Sequence, residues 1–152
     1  MEIKEKIIKT LVEVADKLQD IKSEWCIIGA SAMILSGIEI TETSDIDILT
    51  TNEGADELKQ SLRKYMEIVS KTKEDDLFRS NFARFKLPLM DIEVMGGLQV
   101  RKNGRWQHVR IDDFSVISIE NMVIKIPTLN EQKRLLSLFG REKDLKRISM
   151  FY

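Results

Sequence analysis

Thr43-Ser44-Asp45-Ile46-Asp47-Ile48-Leu49 is the stretch that decides how this chain is read. From Asp45 onward acidic and aliphatic side chains alternate. Successive side chains of a β-strand point to opposite faces, so residues 45–49 form a strand with both carboxylates on one face and the isoleucines turned to a core. Upstream, Trp25-Cys26-Ile27-Ile28 is a short apolar run closed by Gly29, which suits a buried strand. Residues 31–35 then read as a short helix stopped by Gly37. The local pattern is strand, tight turn, helix, polar loop, acidic strand.

Working outward, Ile3, Ile7, Ile8, Leu11, Val14, Ala15, Leu18 and Ile21 recur at helical spacing, which predicts an amphipathic helix over the first twenty-odd residues. Residues 55–65 read as a charged helix with Leu58 and Leu62 at i, i+4 spacing. Residues 82–87 and 89–95 read as strands separated by Pro88, with Asp91 and Glu93 on one face, opposite Met90, Ile92 and Val94. Gly96-Gly97 and Asn103-Gly104 are turn signals that bracket a short strand over 98–102 and open another over 106–111, a hairpin. Residues 114–126 fit strand or loop alike. Pro127 and Thr128 open a helix with Leu135, Leu136 and Phe139 that ends at Gly140, and a last helix carries Leu145 and Ile148. The expected fold is α/β (α+β): a mixed sheet with its carboxylates on one face, helices packed on the other and a β-hairpin extension. Residues 1–152 are expected to form one domain.

Composition narrows the function. At 152 residues and 43% hydrophobic the chain can bury a core without disulfides or structural metal, and its single Cys26 permits neither a disulfide framework nor a multi-cysteine zinc site. Lys and Arg total 24 against 25 Asp and Glu, a balance unlike that of a general polyanion binder. No apolar run approaches the ~20 residues of a membrane span, and the charged start Met-Glu-Ile-Lys-Glu-Lys does not read as a secretory signal. A cytoplasmic location with no membrane partner is expected.

Three features carry chemistry if they meet: the Gly29-Ala30-Ser31 turn, the Asp45-x-Asp47 strand, and Asp91 or Glu93 on a neighbouring strand. A glycine turn feeding a helix lets backbone N–H groups and a serine hydroxyl approach a phosphate. Two carboxylates at i, i+2 with a third opposite form an oxygen cage suited to two Mg²⁺ ions. Clustered carboxylates repel unless a cation lies between them, and residues 39–57 hold seven acids and no Lys or Arg. No counter-ion is close in sequence.

Ile27-Ile28-Gly29-Ala30-Ser31-Ala32, Gly37, Thr43-Ser44-Asp45-Ile46-Asp47-Ile48 and Met90-Asp91-Ile92 together resemble the core of the DNA polymerase β-like nucleotidyltransferase superfamily, its small minimal, antibiotic and toxin-type members above all. Ala30 stands where those relatives have a second glycine. Gly140-Arg141-Glu142-Lys143-Asp144-Leu145 resembles their Gly-Arg-Pro-Lys-Asp-Leu ending, with Glu142 for proline. The resemblance implies transfer of NMP from an NTP, ATP foremost, to a hydroxyl of a small molecule, a tRNA or a protein. It implies that Asp45, Asp47 and Asp91 bind two Mg²⁺ ions, that Asp91 acts as or helps the base with Glu93 in reserve, and that Gly29, Ala30, Ser31 and Lys143 hold the phosphates. Thr41 stands where such relatives often carry Arg. An inactive relative serving as a partner-binding or toxin–antitoxin module is the alternative.

Competing readings are weaker. Haloacid dehalogenase-like phosphatases place a hydrophobic strand before the first Asp and Thr or Val two residues after the second; here Thr41-Glu42-Thr43-Ser44 precedes Asp45 and Leu49 follows. Cys26 on an apolar strand reads as packing. Trp25 and Trp106 read as core or hairpin packing, and His108 as exposed. Arg101, Lys102, Arg105 and Arg110 read as a charged edge hairpin or as a guide for an anionic acceptor.

Overall fold

The computed structural model describes residues 1–68 and 72–151. Helices α1 (Ile3–Glu13) and α2 (Ala15–Asp20) open the chain, followed by β1 (Trp25–Ile28), α3 (Gly29–Leu35), β2 (Asp45–Thr50) and α4 (Asn52–Ser61). A single 3₁₀ turn (Arg63–Tyr65) leads to β3 (Thr72–Glu74), β4 (Phe78–Phe85), β5 (Asp91–Lys102) and β6 (Arg105–His108). The chain ends with the hairpin β7 (Phe114–Ile119) and β8 (Met122–Pro127) and helices α5 (Leu129–Phe139) and α6 (Glu142–Ile148). Among the described residues no helix is long and apolar enough to cross a membrane.

The main sheet is mixed, in the order β1-β2-β5-β4-β3, with β6 on the far half of β5. β2 and β5 run parallel, and every other pairing is antiparallel. Alternation on β2 works as its residue pattern demands. Ile46 and Ile48 are fully buried with Ile92 and Val94 of β5 and with Ile7, Leu11, Leu58 and Leu62 of the helices on that side. Asp45 and Asp47 therefore face the other way.

That second face is not bare. Cys26, Ile28, Leu49, Leu98 and Val100 form an apolar cluster with Leu135 of α5, so the last helices cover part of the carboxylate face and leave a cleft beside it. Thr128 caps α5 by accepting the Glu131 N–H, and the helix ends at Gly140. α6 buries Asp144 rather than Leu145: Asp144 is 1% exposed and Leu145 54%. Asp144 accepts the N–H, Nε and Nη2 donors of Arg141.

Several local expectations change in the tertiary structure. The first helix jogs at Val14, whose N–H reaches back only to Leu11, and both halves still bury their aliphatic side chains. α4 starts earlier, at Asn52, because the Thr51 hydroxyl caps it through the Gly54 N–H. Gly96-Gly97 is not a turn but lies inside the twelve-residue strand β5. A Cβ on Gly96 would lie 2.5 Å from Ala55 Cβ and 2.8 Å from Thr51 O, so the glycine is the contact point where α4 rests on the sheet. The β4–β5 register shifts beside it, between Arg79 and Asn81, as a bulge. Residues 114–126 fall in the β7–β8 hairpin, with Ile124 and Ile126 buried in the core shared with α1 and β1 and Val116 and Val123 exposed.

Candidate active site

Strand register places the acids. Asp45 lies opposite Asp91, and Asp47 opposite Glu93, in the parallel β2–β5 pairing. All four point to the face opposite the buried isoleucines. Asp45, Asp47 and Glu93 line a cleft of about 430 Å³, a volume suited to a small ligand. Gly29 and Ala30, Thr43 and Ser44, Phe78 and Phe82, Met95, Phe139 and the basic residues Arg141, Lys143 and Arg147 complete its walls. Asp91 lies outside that lining, with one oxygen shared between Arg84 (3.0 Å) and Lys86 (3.0 Å).

Gly29 is required twice over. Its φ of +71° disfavours a side chain, and a Cβ there would lie 2.8 Å from Asp47 Oδ2. The turn between β1 and α3 thus lets the Asp47 carboxylate press against backbone. Ser31 is 1% exposed and its hydroxyl donates to the Asp45 carbonyl at 3.3 Å, so it braces the acidic strand from beneath rather than lining the cleft. Ser44 donates to Asp45 Oδ2 at 3.2 Å.

Electrostatics single out Asp47. Burial, with repulsion from Glu93 and Asp45, pushes its carboxyl up to about 7, opposed by Lys143 and Arg141. Among the described residues no donor hydrogen-bonds that carboxylate. Its neighbours are better served, because Arg84 on β4 lies opposite Glu93 and reaches Asp45 (3.1 Å), Asp91 (3.0 Å) and Glu93. The counter-ion missing from residues 39–57 comes from a distant strand.

A hard, oxygen-seeking cation fits what is left. Asp47 offers a half-buried carboxylate that accepts no hydrogen bond among the described residues and Asp45 an oxygen held only by Ser44, both beside a basic wall suited to phosphate. Among the described residues no three acidic, histidine or cysteine side chains converge closely enough to hold an ion by themselves. That is no obstacle for Mg²⁺, which commonly takes one or two carboxylates and completes its shell with substrate phosphate and water.

A family model of aminoglycoside-2''-adenylyltransferase matches residues 10–150. The chain belongs to the aminoglycoside-2''-adenylyltransferase family. It is thereby a member of the DNA polymerase β-like nucleotidyltransferase superfamily, whose mixed sheet and helices it shares. The Thermotoga maritima protein TM1012, described as a nucleotidyltransferase, superposes with a TM-score of 0.80 at 22% identity, covering 98% of this chain and 93% of that one. The lincosamide antibiotic adenylyltransferase LnuA, solved with lincomycin, gives 0.59 at 18% identity, covering 94% of each chain. The antibiotic-resistance factor ANT(2'')-Ia gives 0.58 at 11%, covering 99% of this chain and 83% of that one. Comparison with curated proteins gives no match.

Within this adenylyltransferase family member, two residues of the site escaped the sequence reading. Arg84 belongs to no motif; the alternation Arg84-Phe85-Lys86 puts both cations on one face, but their pairing with β5 is invisible in sequence. Arg147 lines the cleft with Lys143, one helical turn earlier, and that i, i+4 spacing was a usable signal. Cys26 is 3% exposed and its thiol is pushed up to about 12 by burial, as packing requires. Trp106 stacks under Arg79, 4.4 Å from its ring centre, and His108 is exposed beside Gln99.

Proposed function

We propose that this chain is a Mg²⁺-dependent nucleotidyltransferase that moves NMP, AMP foremost, from an NTP to a hydroxyl acceptor. The observation that carries the reading is the meeting of Asp45, Asp47 and Glu93 with Arg141, Lys143 and Arg147 in one cleft. Lys143, Arg141 and Arg147 draw the triphosphate in, and the Gly29-Ala30 turn lets it approach the backbone. Asp45 and Asp47 are the residues that would hold Mg²⁺, which when bound neutralises charge on the transferring phosphate. Glu93, facing the cleft opposite Asp47, is placed to accept the acceptor's proton. Asp91, the third carboxylate that the resemblance implies, completes the acidic face and fixes Arg84 and Lys86. The hydroxyl oxygen attacks the α-phosphorus in line and pyrophosphate leaves.

Calorimetric titration of the four Mg-NTPs into wild type and Asp45→Asn/Asp47→Asn tests this without knowing the acceptor. Binding that needs both Mg²⁺ and the carboxylates is expected, with ATP preferred, and justifies an acceptor search with α-labelled nucleotide. Comparing Glu93→Gln with Asp91→Asn then assigns the base. The ion pairs that Arg84 makes with Asp45, Asp91 and Glu93, together with Thr41 in place of an arginine, favour one second reading: a silent relative that binds a partner protein. Absence of nucleotide binding at millimolar concentration selects that reading.

A further inference from the structure

We propose that Arg84 takes the place of one of two divalent ions, so that this chain works with a single ion held by Asp45 and Asp47. The inference rests on the nucleotidyl-transfer reading above and goes beyond it in the number of ions and in the residue that replaces the other. Arg84 sits opposite Glu93 in the β4–β5 pairing, and its side chain emerges among the acids. Nη1 lies 3.1 Å from Asp45 Oδ1 and 3.0 Å from Asp91 Oδ2, while Nη2 donates to Glu93 Oε2. An ion shared between the first aspartate of β2 and a carboxylate of β5 would compete with Arg84 for these side chains. The guanidinium already holds one oxygen of each, stays charged at every physiological pH, and is tied to the sheet by its own strand.

A further observation agrees. Asp91 is doubly engaged, with Lys86 on the same oxygen that Arg84 uses. The Asp47 carboxylate and Asp45 Oδ2, which accepts only from Ser44, are free of Arg84 and Lys86 and belong to residues that line the same cleft as Lys143 and Arg141. That is where an ion arriving with a triphosphate finds ligands. On the acceptor side Arg84 is a positioning residue: it fixes Glu93 and supplies a permanent positive charge that cannot dissociate.

Crystals of wild type and Arg84→Met, grown with Mn²⁺ and α,β-methylene-ATP, test this by anomalous scattering at the manganese edge. One manganese at Asp45 and Asp47 is expected in wild type, with Arg84 in place. A second, between Asp45 and the β5 acids, is expected in Arg84→Met. Two manganese ions in wild type, with Arg84 displaced, overturn the proposal and leave nucleotidyl transfer standing. A single ion in both proteins also overturns it. Neither ion nor nucleotide in wild type overturns this inference and the functional reading together. Should Arg84→Met not fold, the wild-type count still decides, and it can be repeated in solution by manganese paramagnetic resonance at saturating analogue.

Discussion

Replacing Asp47 by Asn removes one charge from a cluster whose own geometry disfavours it. With its folded value near 7 against an ordinary 3.8, charging the carboxyl costs at most about 4 kcal/mol. Water entry and side-chain relaxation reduce that, and about 2 kcal/mol is the working figure. The folded state binds the extra proton between the two values, so metal-free wild type loses stability as pH rises from about 4 to about 7 and levels off above. Asp47→Asn lacks this loss. Thermal melts of both proteins in chelator should therefore coincide near pH 4 and diverge on raising the pH. The mutant should melt roughly 4–8 °C higher near pH 8, since 1 kcal/mol shifts a domain of this size by about 2–4 °C. Added Mn²⁺ should stabilise wild type and leave the mutant unmoved. A mutant less stable than wild type at pH 8, or a difference that ignores pH, refutes the reasoning and makes Asp47 a structural hydrogen-bonding residue.

Three other outcomes are expected. Gly96→Ala forces a methyl group to within 2.5 Å of Ala55 Cβ and should cost about 2–3 kcal/mol in urea unfolding, by pushing α4 off the sheet. Hydrogen bonds from Arg134, and from the Asp112 N–H, hold the Glu131 carboxyl down to about 2. Its contribution is complete above the ordinary value of 4.5 and is lost as pH falls toward 2, so Glu131→Gln should flatten the acid limb of the stability curve and cost about 1–2 kcal/mol at neutral pH. Lys143, exposed on the cleft rim and without an ion pair among the described residues, can be changed to Met with little effect on melting. That change should weaken Mg-ATP binding about tenfold by calorimetry, with a shallower dependence on salt.

Residue order alone sets the local features. Alternation in residues 45–48 and 90–94 put four carboxylates on strand faces away from the isoleucines, because side-chain direction repeats every two residues wherever the chain is extended. Helix ends at Thr128 and Gly140 were legible for a similar reason: a cap is made by neighbours in sequence. Glycine at 29 marked the tight turn, although its contact with Asp47, eighteen residues on, was not visible. The other features depend on long-range packing. Gly96-Gly97 carries the composition of a turn, yet α4 leans on Gly96 and a bulge absorbs the irregularity, so the strand continues. The hydrophobic pattern of α6 pointed to Leu145, but the helix turned inward the side that lets Asp144 bind Arg141 and lets Lys143 and Arg147 face the cleft. Arg84 shows the difference most plainly. Which strand lies beside β5, and in which register, follows from long-range packing of both sheet faces, and only that register brings a cation from residue 84 among acids at 45, 91 and 93.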